Sequence, residues 1–183
     1  MKSVLVPLAQ GFEEIEAVTV IDILRRAELE VVAAGLEHGP VRGSRGIVVV
    51  PDTLLESVMD RTFDAVVLPG GAEGSRRLND DPRIKAILKR HHGQARLVAA
   101  ICAAPLVLHA TGLLRGLEAT SHPSVKDRLT GVSFREDRVV EDRGVMTSQA
   151  AGTAMEFAFA LVARLAGQAK ADEVNAGVLA RLA

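Results

Sequence analysis

The sequence predicts an α/β protein, a doubly wound and mostly parallel sheet with helices on both faces. Three observations lead there. Apolar runs of strand length alternate with helical patterns in a βαβ rhythm. Those runs are near-continuous in Val, Leu, Ile and Ala, as strands covered on both faces require. A chain of 183 residues fits one domain at about 150 residues per domain, and no linker-like stretch or repeat divides residues 1–183.

The elements follow in order. SVLVPL at Ser3–Leu8 reads as a strand. Glu14–Ala27 places Ile15, Val18, Ile21, Ile23 and Leu24 at helical spacing. Glu30–Ala34 returns as a strand ending at Gly35. Asp64–Leu68 is a strand that runs into Pro69, Gly70 and Gly71. A helix starts at Asp81-Pro82, with Asp as cap and Pro in the first turn, and stops at Gly93. Arg96–Ile101 is a further buried strand, followed by a helix from about Ala103 that carries Pro105 in its first turn. Val41–Val50 and Arg138–Ser148 read as hairpin or edge material. Gly152–Leu165 is a strongly apolar helix, and Lys170–Leu182 an amphipathic terminal one.

Composition removes several functions. Lys+Arg 22 against Asp+Glu 23 leaves a net charge of −1, which argues against a surface that tracks nucleic-acid phosphates. With no Trp, no Tyr and 5 Phe there is no stacking platform for bases. A single cysteine excludes an intrachain disulfide, a dithiol redox pair and a Cys-rich zinc site. The longest apolar run, Leu97–Leu108, is broken by Pro105 and falls short of the ~18 residues of a membrane span. The N-terminal MKSVLVPLAQGFEE lacks the long apolar region of a secretion signal. The expectation is a cytoplasmic protein without a membrane or nucleic-acid partner.

The lone Cys102 stands where the strand Arg96–Ile101 ends and a helix begins. That is the geometry of a nucleophile elbow, where helix amides and dipole lower a thiol's pKa. The residue type alone reads equally well as an inert core cysteine. Gly70-Gly71 follows another strand end, so their amides can form an oxyanion pocket, or simply a turn. Of the three acids Glu13, Glu14 and Glu16, two are ordinary complements to a helix dipole. Glu16 lies between Ile15 and Ala17, where a buried carboxyl would have a raised pKa and could shuttle a proton. His122 follows the strand-like Glu118–Ser121 and can reach a site at the strand ends, or serve as a turn residue before Pro123. His91 and His92 are adjacent and cannot share a helical face; His38 lies in a turn and His109 reads as solvated. No histidines and carboxylates have metal-ligand spacing, so no metal is expected.

Four motifs in this order, GFEEIEAV at Gly11–Val18, LPGG at Leu68–Gly71, AAICAAP around Cys102, and TSQAAGTAMEFA at Thr147–Ala158, resemble the DJ-one (ThiJ/PfpI) superfamily over essentially the whole chain. The resemblance is closest to the branch of the parkinsonism-associated deglycase and bacterial YajL-type proteins. It implies a flavodoxin-like three-layer sandwich, a homodimer and no cofactor. By resemblance, Cys102 is a low-pKa nucleophile and oxidation sensor, and Glu16 a protonated partner of its thiolate. Gly70, Gly71 and Ala103 line the pocket, His122 stands nearby, and Arg45 in GSRG lies near the dimer edge. The implied activity is a glyoxalase or protein deglycase acting on methylglyoxal, glyoxal or early glycation adducts. The alternative is a redox sensor or chaperone whose cysteine stops at sulfinic acid. Ala103 stands where peptidase-like branches carry His, which speaks against a peptidase.

Overall fold

The computed structural model describes residues 1–182. The chain runs β1 (Ser3–Leu8), α1 (Glu14–Arg26), β2 (Glu30–Gly35), β3 (Val41–Arg42), β4 (Val48–Val49), β5 (Thr53–Leu54), β6 (Ala65–Leu68), α2 (Ala72–Asp80), α3 (Pro82–Gly93), β7 (Leu97–Ile101), α4 (Pro105–Ala110), β8 (Glu118–Ala119), β9 (Ser133–Phe134), β10 (Val139–Asp142), β11 (Val145–Ser148), α5 (Ala154–Ala166) and α6 (Gln168–Val178). The central sheet has the order β10-β11-β7-β6-β1-β2-β5. Every neighbouring pair is parallel except β10 with β11 at one edge. The flavodoxin-like α/β sandwich read from the sequence is the fold.

Alternation along the strands sends side chains to two separate cores. Val4, Val6 and Leu8 of β1 join α1 and α5 residues such as Ile23, Phe157 and Leu161. Leu5 of the same strand joins Ile84, Ile87 and Leu108 on the opposite face. All residues of β1, β6 and β7 are buried, which is why their sequences are apolar throughout. Local signals set the helix starts. The Glu13 carboxylate accepts from the Glu16 amide at 2.8 Å and caps α1. Asp81 accepts from the Arg83 amide at 2.8 Å, with Pro82 next to it, and caps α3.

The chain departs from the sequence expectations at a few places. The 41–50 region is a hairpin, but β3 and β4 form a sheet of their own. The 138–148 region is also a hairpin, yet β11 pairs with β7 in parallel and is wholly buried, so it is core rather than edge. Helix α2 was not expected, because AEGSRRLND holds Leu78 as its one large apolar residue and is rich in poor helix formers. The terminal helix ends at Val178, where Leu179 takes a left-handed φ of 58°, so Leu182 lies outside it. The long apolar run resolves into β7, a turn and the six-residue α4; no helix among the described residues is long and apolar enough to cross a membrane.

Strand β1 leads to β2 on one side, while β6 lies on its other side. This reversal opens a crevice at the carboxyl ends of β1 and β6, where doubly wound sheets place their sites.

Candidate active site

Three strand ends meet in that crevice. The first supplies α1 with Glu16, the second Gly70 and Gly71, the third Cys102. Cys102 takes a left-handed φ of 66°, rare for a residue with a side chain. Two bonds hold it there. Its amide donates to the Ser148 carbonyl of β11 at 3.0 Å, and its carbonyl accepts from the His122 amide at 2.9 Å. Strain of this kind persists only where the surroundings over-determine it.

Close approach dictates the glycines. A Cβ on Gly70 would overlap Glu16 Oε2 and stand 2.6 Å from Cys102 Cβ and 2.9 Å from the Ile101 carbonyl. Gly71 has a φ of 92°, and a Cβ there would run into the Gly11 carbonyl and stand 2.8 Å from the Glu13 amide. The two glycines therefore let three chain segments touch.

Glu16 is 1% exposed. Its Oε2 accepts from the Gly70 amide at 2.9 Å. Its Oε1 is buried and has no hydrogen-bond partner of normal geometry among the described residues. Burial pushes the carboxyl up to about 7, and the Glu13 charge adds to this; the neighbouring Cys102 thiol and the Gly70 amide pull the other way. Burial likewise pushes the Cys102 thiol up to about 12, with the negative charge of Glu16 next in weight. The amides of Gly71 and Ala103 point at the sulfur and oppose that rise. The thiolate pKa expected from the sequence is thus corrected in direction, for a physical reason. The elbow is enclosed, and α4 is a short helix whose first residue, Pro105, has no amide to offer. The charge that opposes the thiolate is present only while Glu16 is ionised. Above about pH 7 the two groups therefore hold one proton between them, and they titrate as a unit.

The other expected site residues divide. Gly71 and Ala103 present their amides to the sulfur. The Gly70 amide is spent on Glu16, so it does not line the oxyanion pocket and instead orients the carboxyl. His122 reaches the elbow through its backbone. Its Nδ1 accepts from the Ser124 amide at 3.1 Å and lies 2.7 Å from Ser124 Oγ, capping the 3-10 turn Pro123–Arg128. Its imidazole makes no hydrogen bond to Cys102 or Glu16 among the described residues. Arg45 is exposed in the hairpin turn, its amide donating to Glu14 Oε1 at 2.6 Å.

Sequence reasoning missed Glu14. Instead of an ordinary first-turn acid it is 4% exposed and also accepts from Ser44 Oγ at 3.0 Å. The signal was present in three acids where a helix dipole needs only one or two. Nor was the Ser148 carbonyl foreseen, since only pairing β11 with β7 brings it to the elbow.

Fold and site together define a doubly wound α/β protein with a half-buried cysteine beside a buried carboxyl at a strand-to-helix elbow. The chain belongs to the DJ-1/PfpI family, whose model matches residues 2–164. It is 43% identical over 181 residues to Protein dj-1beta of Drosophila melanogaster, covering 97% of each chain. It is 39% identical over 176 residues to the Glutathione-independent glyoxalase DJR-1.2 of Caenorhabditis elegans, covering 94% of each. Protein DJ-1 homolog A of Arabidopsis thaliana is 42% identical over 96% of this chain, which spans only 45% of that longer relative. Among solved structures, Drosophila melanogaster DJ-1beta superposes with a TM-score of 0.96 at 42% identity, covering 99% of both chains. Oxidized DJ-1 of Toxoplasma gondii does so with a TM-score of 0.96 at 40% identity over the whole of both.

Proposed function

We propose that the protein is a cysteine-dependent glyoxalase- or deglycase-type enzyme that needs no cofactor and acts on small dicarbonyls such as methylglyoxal and glyoxal, or on early glycation adducts. The observation that carries this reading is the Cys102–Glu16 pair, a thiol and a buried carboxyl with a raised pKa, beside two inward amides. The relative named a glutathione-independent glyoxalase supports it.

Chemistry follows from the geometry. Glu16, poised near neutrality, takes the thiol proton as the Cys102 sulfur adds to the aldehyde carbon, which gives a hemithioacetal. The developing oxyanion takes its hydrogen bonds from the Gly71 and Ala103 amides. Glu16 passes the thiol proton to that oxyanion and, ionised again, moves the proton from the former aldehyde carbon to the neighbouring carbon by way of an enediol. The first carbon is thereby oxidised to a thioester and the second reduced to an alcohol, with no outside oxidant. Water cleaves the thioester, releasing the 2-hydroxy acid and the thiol. For methylglyoxal the product is lactate. His122 assists by fixing the elbow through its backbone. Purified Cys102→Ala and Glu16→Gln proteins should each lose methylglyoxal consumption; full turnover in either variant contradicts the mechanism.

A second reading has its own observation. Cys102 is only partly buried and is the one sulfhydryl in the chain, so oxidation has no resolving partner within it. Two peroxide molecules would carry the thiolate through sulfenate to sulfinate, each releasing water, with protonated Glu16 donating to the product. Intact mass after mild peroxide distinguishes the readings: a clean gain of two oxygens without dicarbonyl turnover favours a sensor.

The reading includes a homodimer. Ile15 and Val18 on α1 and Ile47, Val48 and Val50 around β4 are exposed apolar residues. The Glu14 contacts tie this hairpin, with Arg45, to α1, so these residues sit on joined elements. A monomeric mass by light scattering at micromolar concentration contradicts a dimer.

A further inference from the structure

A cleft of about 360 Å³ begins one residue from the reactive centre. Ala103, next to Cys102, and Ala72, next to Gly71, both line it. From there it follows α2 to Asn79, about 10 Å at the rise of an α-helix. That is far more room than methylglyoxal fills, and the walls are not those of an idle groove.

Two buried polar atoms along α2 lack partners. Ser75 is 4% exposed, and its Oγ has no hydrogen bond among the described residues. Asn79 Oδ1, one turn further on the same cleft wall, is also buried and unpaired. Unpaired buried polar groups are uncommon, because each forfeits its hydration without return. An acceptor in the cleft would take the Ser75 hydroxyl, whereas Asn79 Oδ1 would need a donor.

The cleft also has a charge. Arg76 lies along it but is neutralised by Glu73 at 2.8 Å and Asp80 at 2.9 Å. Arg128, at the end of the 3-10 turn, faces the same space and makes no ion pair among the described residues. His109 across from α2 is held by its Nε2 to the Thr130 carbonyl at 2.8 Å. The balance is one uncompensated guanidinium, which suits a monoanion, and a guanidinium fork matches a carboxylate.

We propose that this cleft holds a carboxylate tail on the substrate, so that the preferred substrates are α-oxoaldehydes carrying a carboxylate a few carbons from the reacting aldehyde. The proposal rests on the dicarbonyl reading of Cys102 and specifies its substrate class. Arg128 takes the carboxylate and the Ser75 hydroxyl donates to it. The aldehyde is left beside the sulfur and the Gly71 and Ala103 amides. Arg128 and Ser75 are specificity residues; the bond-making groups are unchanged.

The test has a binding arm and a turnover arm. In the binding arm, calorimetry with levulinate, an unreactive keto acid, is compared with its methyl ester on the wild-type protein and on Arg128→Gln and Ser75→Ala. Levulinate should bind at least about tenfold more tightly than the ester, and Arg128→Gln should remove that difference. Equal binding of acid and ester, or an unaltered preference in Arg128→Gln, overturns the proposal. In the turnover arm, 4,5-dioxopentanoate is compared with methylglyoxal. The acid should show the lower KM, raised about tenfold by Arg128→Gln while methylglyoxal turnover holds. An acid KM no lower than that of methylglyoxal overturns the proposal. Acid-selective binding with no turnover of either dicarbonyl would sink the enzymatic reading and leave the carboxylate cleft standing.

Discussion

Glu14 and Glu16 stand two residues apart on the first turn of one helix, and both are buried, at 4% and 1% exposure. Their carboxyls are driven in opposite directions. At Glu14 burial pushes upward, but the Arg45 amide, its own amide, the Ser44 hydroxyl and the Ile47 amide outweigh it and hold the carboxyl below its usual range. At Glu16 one amide and one thiol face a larger burial cost, and the carboxyl rises to about 7. The larger burial cost at Glu16 and the greater number of donors at Glu14 together separate them. One becomes a fixed anion that clasps a hairpin. The other becomes a proton carrier beside a sulfur.

The sharpest way to break this comparison is to neutralise each acid in turn. Glu16→Gln should lower kcat/KM for a dicarbonyl by about 10²–10⁴-fold, the usual scale for a lost general base, while Glu14→Gln leaves it within about threefold. Equal losses in the two variants would mean that the acids share one structural task.

Stability against pH gives the next effect. The folded state keeps the Glu16 proton between the ordinary 4.5 and about 7, where the unfolded chain has released it. Stability therefore falls as pH rises through that window, by about 3 kcal/mol if the whole shift is expressed. Denaturant melts of wild type and Glu16→Gln should diverge over the same range, with the variant flatter. Glu14 has the reverse sign: its contribution is present above 4.5 and is lost as pH falls.

Glu14→Gln should then cost about 1–3 kcal/mol at neutral pH, because the charged acceptor of three hairpin donors is gone. Faster amide exchange confined to residues 43–47 would mark the loosened hairpin. Smallest of all, Ser44→Ala removes one donor and should cost about 1 kcal/mol, leaving Glu16 untouched. A change in Cys102 reactivity in that variant would show the two regions to be coupled.

Much of this was legible in the sequence. Continuous apolar strands, Asp81-Pro82 and the elbow at Cys102 each act locally, so the α/β sandwich and the cysteine's place in it could be read in advance. Glu16 stood out as an acid among apolar neighbours. What escaped reading depends on contacts across the chain. Helix α2 forms because Leu78 and Gly74 pack inward, against its own propensity. The Gly70 amide turned out to serve Glu16 rather than the oxyanion, which depends on where α1 lies above the sheet. The thiol's raised pKa follows from enclosure, and no local motif reports enclosure.

The account turns on one proton shared between Cys102 and Glu16, and the rate of Cys102 alkylation against pH tests it most directly. Wild type should show a first rise centred near pH 7, as the pair gives up its first proton, and then a plateau. Glu16→Gln should lose that inflection, while Glu14→Gln keeps it. Superimposable profiles for wild type and Glu16→Gln would contradict the shared proton.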